Sequence, residues 1–181
     1  MARATRRDGG DSLMQGGVPA NPGKGPLVLV AVEAGSWPPQ AQLEMLAQRA
    51  IGAIGAAEGA LAEGGREGAE LSILFTDDAG IRELNRKWRG KDTPTNVLSF
   101  PQTGGPLLGD VILSAETLRR EAALADKPLE DHMAHLLIHG YLHLLGYDHE
   151  GEDDAEKMEQ LERVALKSLG ISDPYATPPR Q

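Results

Sequence analysis

The segment 130–145 is apolar on nearly every side, and it constrains the fold more than any other part of the chain. A helix without a continuous polar face cannot lie on the protein surface, so we predict that this helix crosses the core. Gly146 is placed to end it. The polar exceptions inside the segment fall on one stripe of the predicted helix and are all histidines: His132, His135, His139 and His143.

Two of these histidines, His139 and His143, are four residues apart and therefore point the same way from successive turns. Gly146 lets the chain turn back, and His149 follows three residues later, so a third imidazole can reach the same ion. The pattern H-x-x-x-H-x-x-G-x-x-H predicts a site for one divalent metal ion, with zinc expected, at the end of a buried helix. Three nitrogen ligands leave a fourth position for water, which is typical of catalytic rather than structural zinc sites.

Ordinary hydrogen bonding is the alternative for these side chains, and a lone buried histidine is usually satisfied in that way. His135 and His139 are also four apart, but no returning histidine completes that set. We therefore expect His132 and His135 to be core residues or to support the ligands. The chain has no cysteine, which excludes disulfide partners and thiolate ligands and is compatible with a reducing cytoplasm.

The histidine spacing equals that of the metzincin zinc proteases, with one departure. Those enzymes carry a glutamate directly after the first histidine as general base, whereas this chain has Gly140 at that position. The motif therefore favours metal-assisted hydrolysis but argues against the cleavage of peptides.

Strand patterns occur early in the chain with helical patterns between them, and helical patterns dominate the last third. Apolar residues that repeat every three or four positions predict about five helices. Asp77 or Asp78 is suited to cap the second helix, and Ser114 the third. This order is typical of a single α+β domain with a small mixed β-sheet. The predicted strands are residues 27–33, 71–76, 96–100 and 109–113.

The two ends of the chain differ from this domain in composition. Residues 1–25 are rich in Gly, Pro, Arg and small polar residues, and we expect a disordered N-terminal tail. Residues 173–181 are rich in proline and are expected to form a flexible C-terminal tail, which leaves residues 26–172 as the domain. Because no apolar stretch is long enough to span a bilayer, we expect no membrane partner.

The net charge of −9 argues against a protein that coats nucleic acid, but the charge is segregated along the chain. Acidic residues cluster in the segment 150–159, which we interpret as a solvated helix face. Basic residues cluster in the segment 82–91, which also contains Trp88. The spacing of Trp88 from Ile81 and Leu84 favours packing in the core over stacking on nucleic-acid bases.

Three segments resemble the YbeY family of bacterial ribosomal-RNA maturation endoribonucleases: WRGKDTPTNVLSFP (88–101), LLGDVILS (107–114) and HGYLHLLGYDH (139–149). The resemblance extends over roughly residues 27–170. It implies a single-strand-specific, metal-dependent endoribonuclease that acts in 16S rRNA 3′ end maturation and in ribosome quality control. Its partners would be ribosomal RNA and the small ribosomal subunit.

The resemblance assigns the family's three metal-binding histidines to His139, His143 and His149, and its functionally important arginine to Arg89. The chemistry is consistent, because a metal ion and a guanidinium can share the negative charge that builds up on a cleaved phosphodiester. Without the resemblance, Arg89 would be interpreted as a surface arginine beside a turn.

Two further residues are weaker candidates. Lys91 lies close to Arg89 in the sequence and could assist phosphate binding. Asp110 follows a glycine at a predicted strand start, where it could orient a ligand or a water molecule or could cap a turn. Two other functions also stay open, namely a metal-dependent hydrolase of another substrate and a non-enzymatic ribosome-assembly factor with a structural metal.

Overall fold

A computed structural model of the protein describes residues 25–58, 68–148 and 151–176. These residues form one α+β domain with four strands and five helices, so the predicted fold class and the order of elements are confirmed. The strands are β1 (Leu27–Val32), β2 (Glu70–Thr76), β3 (Val97–Pro101) and β4 (Leu107–Ser114), and the helices are α1 (Gln40–Glu58), α2 (Asp78–Arg89), α3 (Ala115–Leu124), α4 (Leu129–Leu144) and α5 (Glu152–Ser168).

The strands form a mixed sheet in the order β1-β2-β4-β3. β1 and β4 both run parallel to β2, and α1 supplies the crossover that the parallel pair β1 and β2 requires. β3 lies at one edge of this sheet and runs antiparallel to β4, with Ser99 opposite Val111. The edge position matters for the site, because a side chain can reach around β3 from one face of the sheet to the other.

Helix α4 lies in the core, where its apolar surface required it to be. Leu137 and Ile138 are fully buried, and α4 packs with α1 and α5 against the face of the sheet that carries Val111 and Leu113. The other face of the sheet carries Ile112, which packs with α2 in a smaller apolar cluster. Successive residues of β4 therefore serve opposite layers, as the pleat of a strand dictates.

The two candidate caps of α2 have different partners. The Asp77 side chain accepts a hydrogen bond from the backbone N–H of Gly80 at 2.8 Å and so caps the helix. Asp78 accepts hydrogen bonds from the Ser114 hydroxyl and from the N–H and hydroxyl groups of Thr117, at 3.1 and 2.7 Å for the latter two. Ser114 therefore stands at the start of α3, as predicted, but uses its hydroxyl to tie α3 to the start of α2.

Trp88 is 62% exposed, so the prediction that it packs in the core is wrong. It lies in the last turn of α2, which meets the sheet at its edge strand, and there is little apolar surface to cover it. Its ring contacts that of Phe100 on β3 with 6.4 Å between centroids, and the Lys87 ammonium lies 4.9 Å from its centroid. The tryptophan is thus an exposed aromatic surface beside cationic side chains.

Residues 173–176, at the start of the predicted C-terminal tail, contact helix α5. Arg163 on α5 forms an ion pair with Asp173 at 3.4 Å, and Tyr175 packs against the same guanidinium. Residues 177–181 lie outside the described part of the chain, as do residues 1–24 of the predicted N-terminal tail. Among the helices that the structure describes, none has the length and apolar character needed to cross a membrane.

Candidate active site

A cleft of about 380 Å³ opens where the C-terminal half of α4 meets β3. His139 and His143 reach it from α4, and Arg89 reaches it from the end of α2. The tertiary structure therefore brings Arg89 together with two predicted site residues that lie about fifty positions later in the chain. The other described lining residues are Val97, Ser99, Pro101, Gly146, Tyr147 and Asp148.

The hydrogen bonds of His139 and His143 fix which ring nitrogen carries hydrogen. Nδ1 of His139 lies 2.8 Å from Oε1 of Glu162, and Nδ1 of His143 lies 3.0 Å from the carbonyl oxygen of Tyr147. A carbonyl and an ionised carboxylate only accept, so both Nδ1 atoms donate. In the neutral rings Nε2 then carries a lone pair, and the two Nε2 atoms lie 3.1 Å apart.

Two lone pairs at this separation repel each other unless a proton or a metal ion lies between them. Two nitrogen ligands about 2.0–2.1 Å from a tetrahedral zinc ion stand roughly 3.3–3.4 Å from each other, close to the separation of these Nε2 atoms. Donation of the other ring N–H to a carboxylate or a backbone carbonyl is also the usual support of metal-binding histidines. The donor chemistry of His139 and His143 therefore fits a metal ion.

The third predicted ligand, His149, lies outside the described residues. Within residues 25–58, 68–148 and 151–176, no group of three or more histidine or acidic side chains is arranged to hold an ion. Asp148 lines the cleft, and His149 is the next residue in the chain. The ligand role of His149 therefore stays a prediction.

Glu162 on α5 is fully buried and is the acceptor that orients His139. Burial raises the pKa of Glu162, but hydrogen bonds from His135, His139 and Tyr175 outweigh this effect and bring the pKa down to about 2. The carboxylate is therefore ionised at neutral pH and accepts hydrogen bonds only. His135 donates from Nε2 to the same carboxylate at 3.1 Å, whereas His132 pairs with Glu121 at 2.8 Å.

Sequence reasoning did not single out Glu162, although a signal was present. The residue lies on the apolar stripe of α5, close to Met158, Leu161 and Ala165, which are all buried. A carboxylate on such a stripe must find donors in the core, since an unpaired buried charge is strongly unfavourable. A charged residue on the apolar stripe of the last helix is therefore the sequence signal for a buried carboxylate.

Arg89 reaches the cleft from the last turn of α2. The helix ends at Gly90, whose φ of 68° is in the left-handed region. The Arg89 guanidinium donates from Nη2 to the carbonyl oxygen of Ser99 at 3.2 Å and lies 5.8 Å from the Phe100 ring centroid. These two contacts hold the guanidinium at the edge strand, with its cationic plane available to an anion in the cleft.

Gly140 lies where α4 packs directly against the sheet. A Cβ atom at this position would lie 2.8 Å from Cγ1 of Val111 and 3.0 Å from Oγ of Ser99. The backbone of α4 can approach the strands this closely only without a side chain here. The structure thus gives a physical reason why the glutamate of the metzincin pattern is absent from this chain.

Lys91 and Asp110 are not among the described residues that line the cleft. Lys91 is exposed, in the turn after α2. Asp110 lies two residues from Ile112 on β4 and therefore on the sheet face that α2 covers, where Gln102 donates to it at 3.5 Å. The roles considered for Lys91 and Asp110 stay predictions, since neither residue lines the cleft.

The fold and the cleft together define a class of protein, a small α+β domain that holds imidazole and guanidinium groups around one opening. Residues 35–170 match the family model of endoribonuclease YbeY. The chain belongs to the endoribonuclease YbeY family.

Known relatives agree with this assignment, and one solved structure has a similar fold. The chain is 48% identical to endoribonuclease YbeY of Rhizobium meliloti (strain 1021), over 84% of this chain and 96% of the relative. It is 51% identical to endoribonuclease YbeY of Methylocella silvestris, over 84% of this chain and 88% of the relative. The solution structure of TM1509 from Thermotoga maritima covers 82% of this chain and 100% of its own, with a TM-score of 0.51. At 23% identity, that last similarity concerns the fold alone.

Proposed function

We propose that this protein is a metal-dependent endoribonuclease that cleaves single-stranded RNA, with zinc as the ion and His139, His143 and His149 as its ligands. We further propose that it acts in the cytoplasm, in 16S rRNA 3′ end maturation and ribosome quality control. Family membership and the names of the relatives support the endoribonuclease activity. The rRNA role is extended from the family to this chain.

One observation carries the metal-dependent part of the proposal. The Nε2 atoms of His139 and His143 lie 3.1 Å apart in the cleft, while each Nδ1 is held by an acceptor that cannot donate. A metal ion bound by both Nε2 atoms would remove the repulsion between their lone pairs, so this arrangement supports a shared cation.

Arg89 supplies the second positive group. Its guanidinium is always charged and presents several N–H donors in one plane, which suits the oxygens of a phosphodiester. The Ser99 carbonyl and the Phe100 ring hold it in position before substrate arrives, so little reorganisation is needed when charge develops on phosphate. A bound divalent ion would supply Lewis-acid polarisation of the phosphodiester and activation of the nucleophile.

The cleft favours RNA over peptides for a specific reason. Metal-assisted peptide cleavage of the metzincin type uses a glutamate next to the first histidine, and Gly140 occupies that position in contact with the sheet. RNA has an internal nucleophile in its 2′-hydroxyl, so cleavage has two routes. Products with a 2′,3′-cyclic phosphate would identify the 2′-hydroxyl as the nucleophile, and simple 3′-hydroxyl ends would exclude it.

The test measures metal content and cleavage of a single-stranded RNA together, for the wild type and two variants. His143→Ala is expected to lose both the metal and the activity, because it removes a ligand. Arg89→Glu is expected to keep the metal and lose the activity, because it replaces the phosphate-binding charge with a repelling one.

Each variant has a matched control on the same helix. His132→Ala removes an imidazole of α4 that pairs with Glu121, and it should keep the metal. Arg86→Glu makes the same charge change on an exposed residue of α2 and should retain most of the activity. A mock purification without the protein detects any contaminating nuclease. If that control shows no cleavage, activity that persists unchanged in both His143→Ala and Arg89→Glu would refute the proposed roles.

A further inference from the structure

Glu162 links His139 to the segment that follows α5, which lies far from His139 in the sequence. Its Oε1 accepts from Nδ1 of His139 at 2.8 Å, and its Oε2 accepts from Nε2 of His135 at 3.1 Å and from the hydroxyl of Tyr175. The side chain of Glu162 is fully buried. Its orientation is therefore set by these donors and not by water.

Tyr175 is brought to this buried carboxylate by contacts of its own segment. Asp173 pairs with Arg163 on α5 at 3.4 Å and also accepts a hydrogen bond from the backbone N–H of Tyr175 at 2.9 Å. The tyrosine ring contacts the Arg163 guanidinium, which lies 5.0 Å from the ring centroid, and the His135 ring, at 5.9 Å between centroids. Although Tyr175 is 36% exposed, its hydroxyl reaches the buried Glu162 carboxylate.

We propose that Tyr175 is a positioning residue for the metal centre and acts through Glu162. Its hydroxyl holds Oε2, which keeps Oε1 directed at Nδ1 of His139 and thereby keeps Nε2 of His139 directed into the cleft. This inference rests on the proposed function, since it treats His139 as a metal ligand. The segment after α5 is then part of the centre, although it contributes no residue to the cleft lining described above.

The hydroxyl matters because it gives Oε2 a second donor, so that turning the carboxylate would break two hydrogen bonds to that oxygen instead of one. Without Tyr175, His135 alone would hold Oε2, and Glu162 could turn between its histidine donors. Polar groups behind a metal ligand typically change metal affinity by about 10–100-fold when removed. Tyr175 acts one step behind Glu162, so we expect an effect near tenfold, the lower end of that range.

The test uses the full chain and the metal alone. Tyr175→Phe keeps the ring that packs on Arg163 and His135 and removes only the hydroxyl. Zn²⁺ affinity is measured by competition with a chromophoric chelator, and the ligand field is followed through the visible absorption of the Co²⁺-substituted protein. We expect about tenfold weaker Zn²⁺ binding and a changed Co²⁺ spectrum, with Glu162→Gln affecting both more strongly.

Thr117→Val is the matched control, because it removes a hydroxyl that donates to a different carboxylate, that of Asp78, at 2.7 Å. Its Zn²⁺ affinity should equal that of the wild type even where its resistance to urea falls. Equal loss of Zn²⁺ affinity in Thr117→Val and Tyr175→Phe would reduce the effect to general destabilisation and overturn the inference.

Two further outcomes separate this inference from the proposed function. If Tyr175→Phe binds Zn²⁺ like the wild type while His143→Ala loses it, the metal centre stands and the positioning role of Tyr175 is refuted. If the wild type itself binds no divalent metal, the proposed function fails, and the inference that rests on it fails too.

Discussion

Adding a single methyl group at Gly140 should push α4 away from the sheet. In Gly140→Ala the new Cβ would lie 2.8 Å from Cγ1 and 3.3 Å from Cγ2 of Val111, and 3.0 Å from Oγ of Ser99. Val111 cannot easily give way, because it is fully buried on the central strand β4 and is stiff at χ1. The helix must therefore move by several tenths of an ångström, and it carries His139 and His143 with it.

Two opposing effects set the change in the free energy of unfolding of Gly140→Ala. Alanine is favoured over glycine in a helix by about 0.8–1 kcal/mol, whereas overpacking a well-packed core costs about 1–3 kcal/mol. Gly52→Ala on α1 isolates the first effect, since nothing lies within 4 Å of the added Cβ and the position is exposed. The free energy of unfolding of Gly140→Ala should therefore lie about 1–3 kcal/mol below that of Gly52→Ala.

Urea unfolding followed by circular dichroism measures both variants, and RNA cleavage and Zn²⁺ content are measured on the same samples. We expect Gly52→Ala to be slightly more stable than the wild type with unchanged activity. Gly140→Ala should be less stable than Gly52→Ala and less active, because the histidines move relative to Arg89. Equal unfolding midpoints for the two variants would refute the reasoning that close contact requires glycine at position 140.

Two other predictions concern the RNA surface and the pH dependence of stability. Trp88→Ala should weaken binding of single-stranded RNA by roughly 1–3 kcal/mol, because the exposed ring is available to stack on a base. Fluorescence anisotropy measures this loss of affinity, with Leu124→Ala as the control for an exposed apolar residue. Burial raises the pKa of Asp78, but hydrogen bonds from Ser114 and Thr117 lower it by more than burial raises it. The folded-state pKa of Asp78 therefore lies below the unfolded value. Asp78→Asn should therefore destabilise the protein at neutral pH, and the difference from the wild type in urea midpoint should shrink as the pH falls through that folded-state pKa; a constant difference would argue against it.

The central helix was predictable because its sequence leaves no alternative. Apolar residues on all sides of the segment 130–145 require burial, and the α+β order of elements follows from short strand patterns separated by helical ones. Trp88 could not be placed in the same way. Helical spacing shows on which side of α2 Trp88 lies. Only the position of β3 at the sheet edge shows that little apolar surface is left there to cover the ring.

At the site, the sequence likewise determines one property of His139 and His143, and the tertiary structure determines another. Spacing alone places His139 and His143 on one side of α4, since residues four apart in a helix are neighbours. Which nitrogen each ring presents depends on Glu162 from α5 and on the Tyr147 carbonyl, and Arg89 reaches the cleft only because α2 ends beside the edge strand. Helical periodicity depends on residues that are close together in the sequence, so the sequence alone predicts it. The partners of a side chain come from distant parts of the chain, and only the packing of α4 and α5 with the sheet decided them.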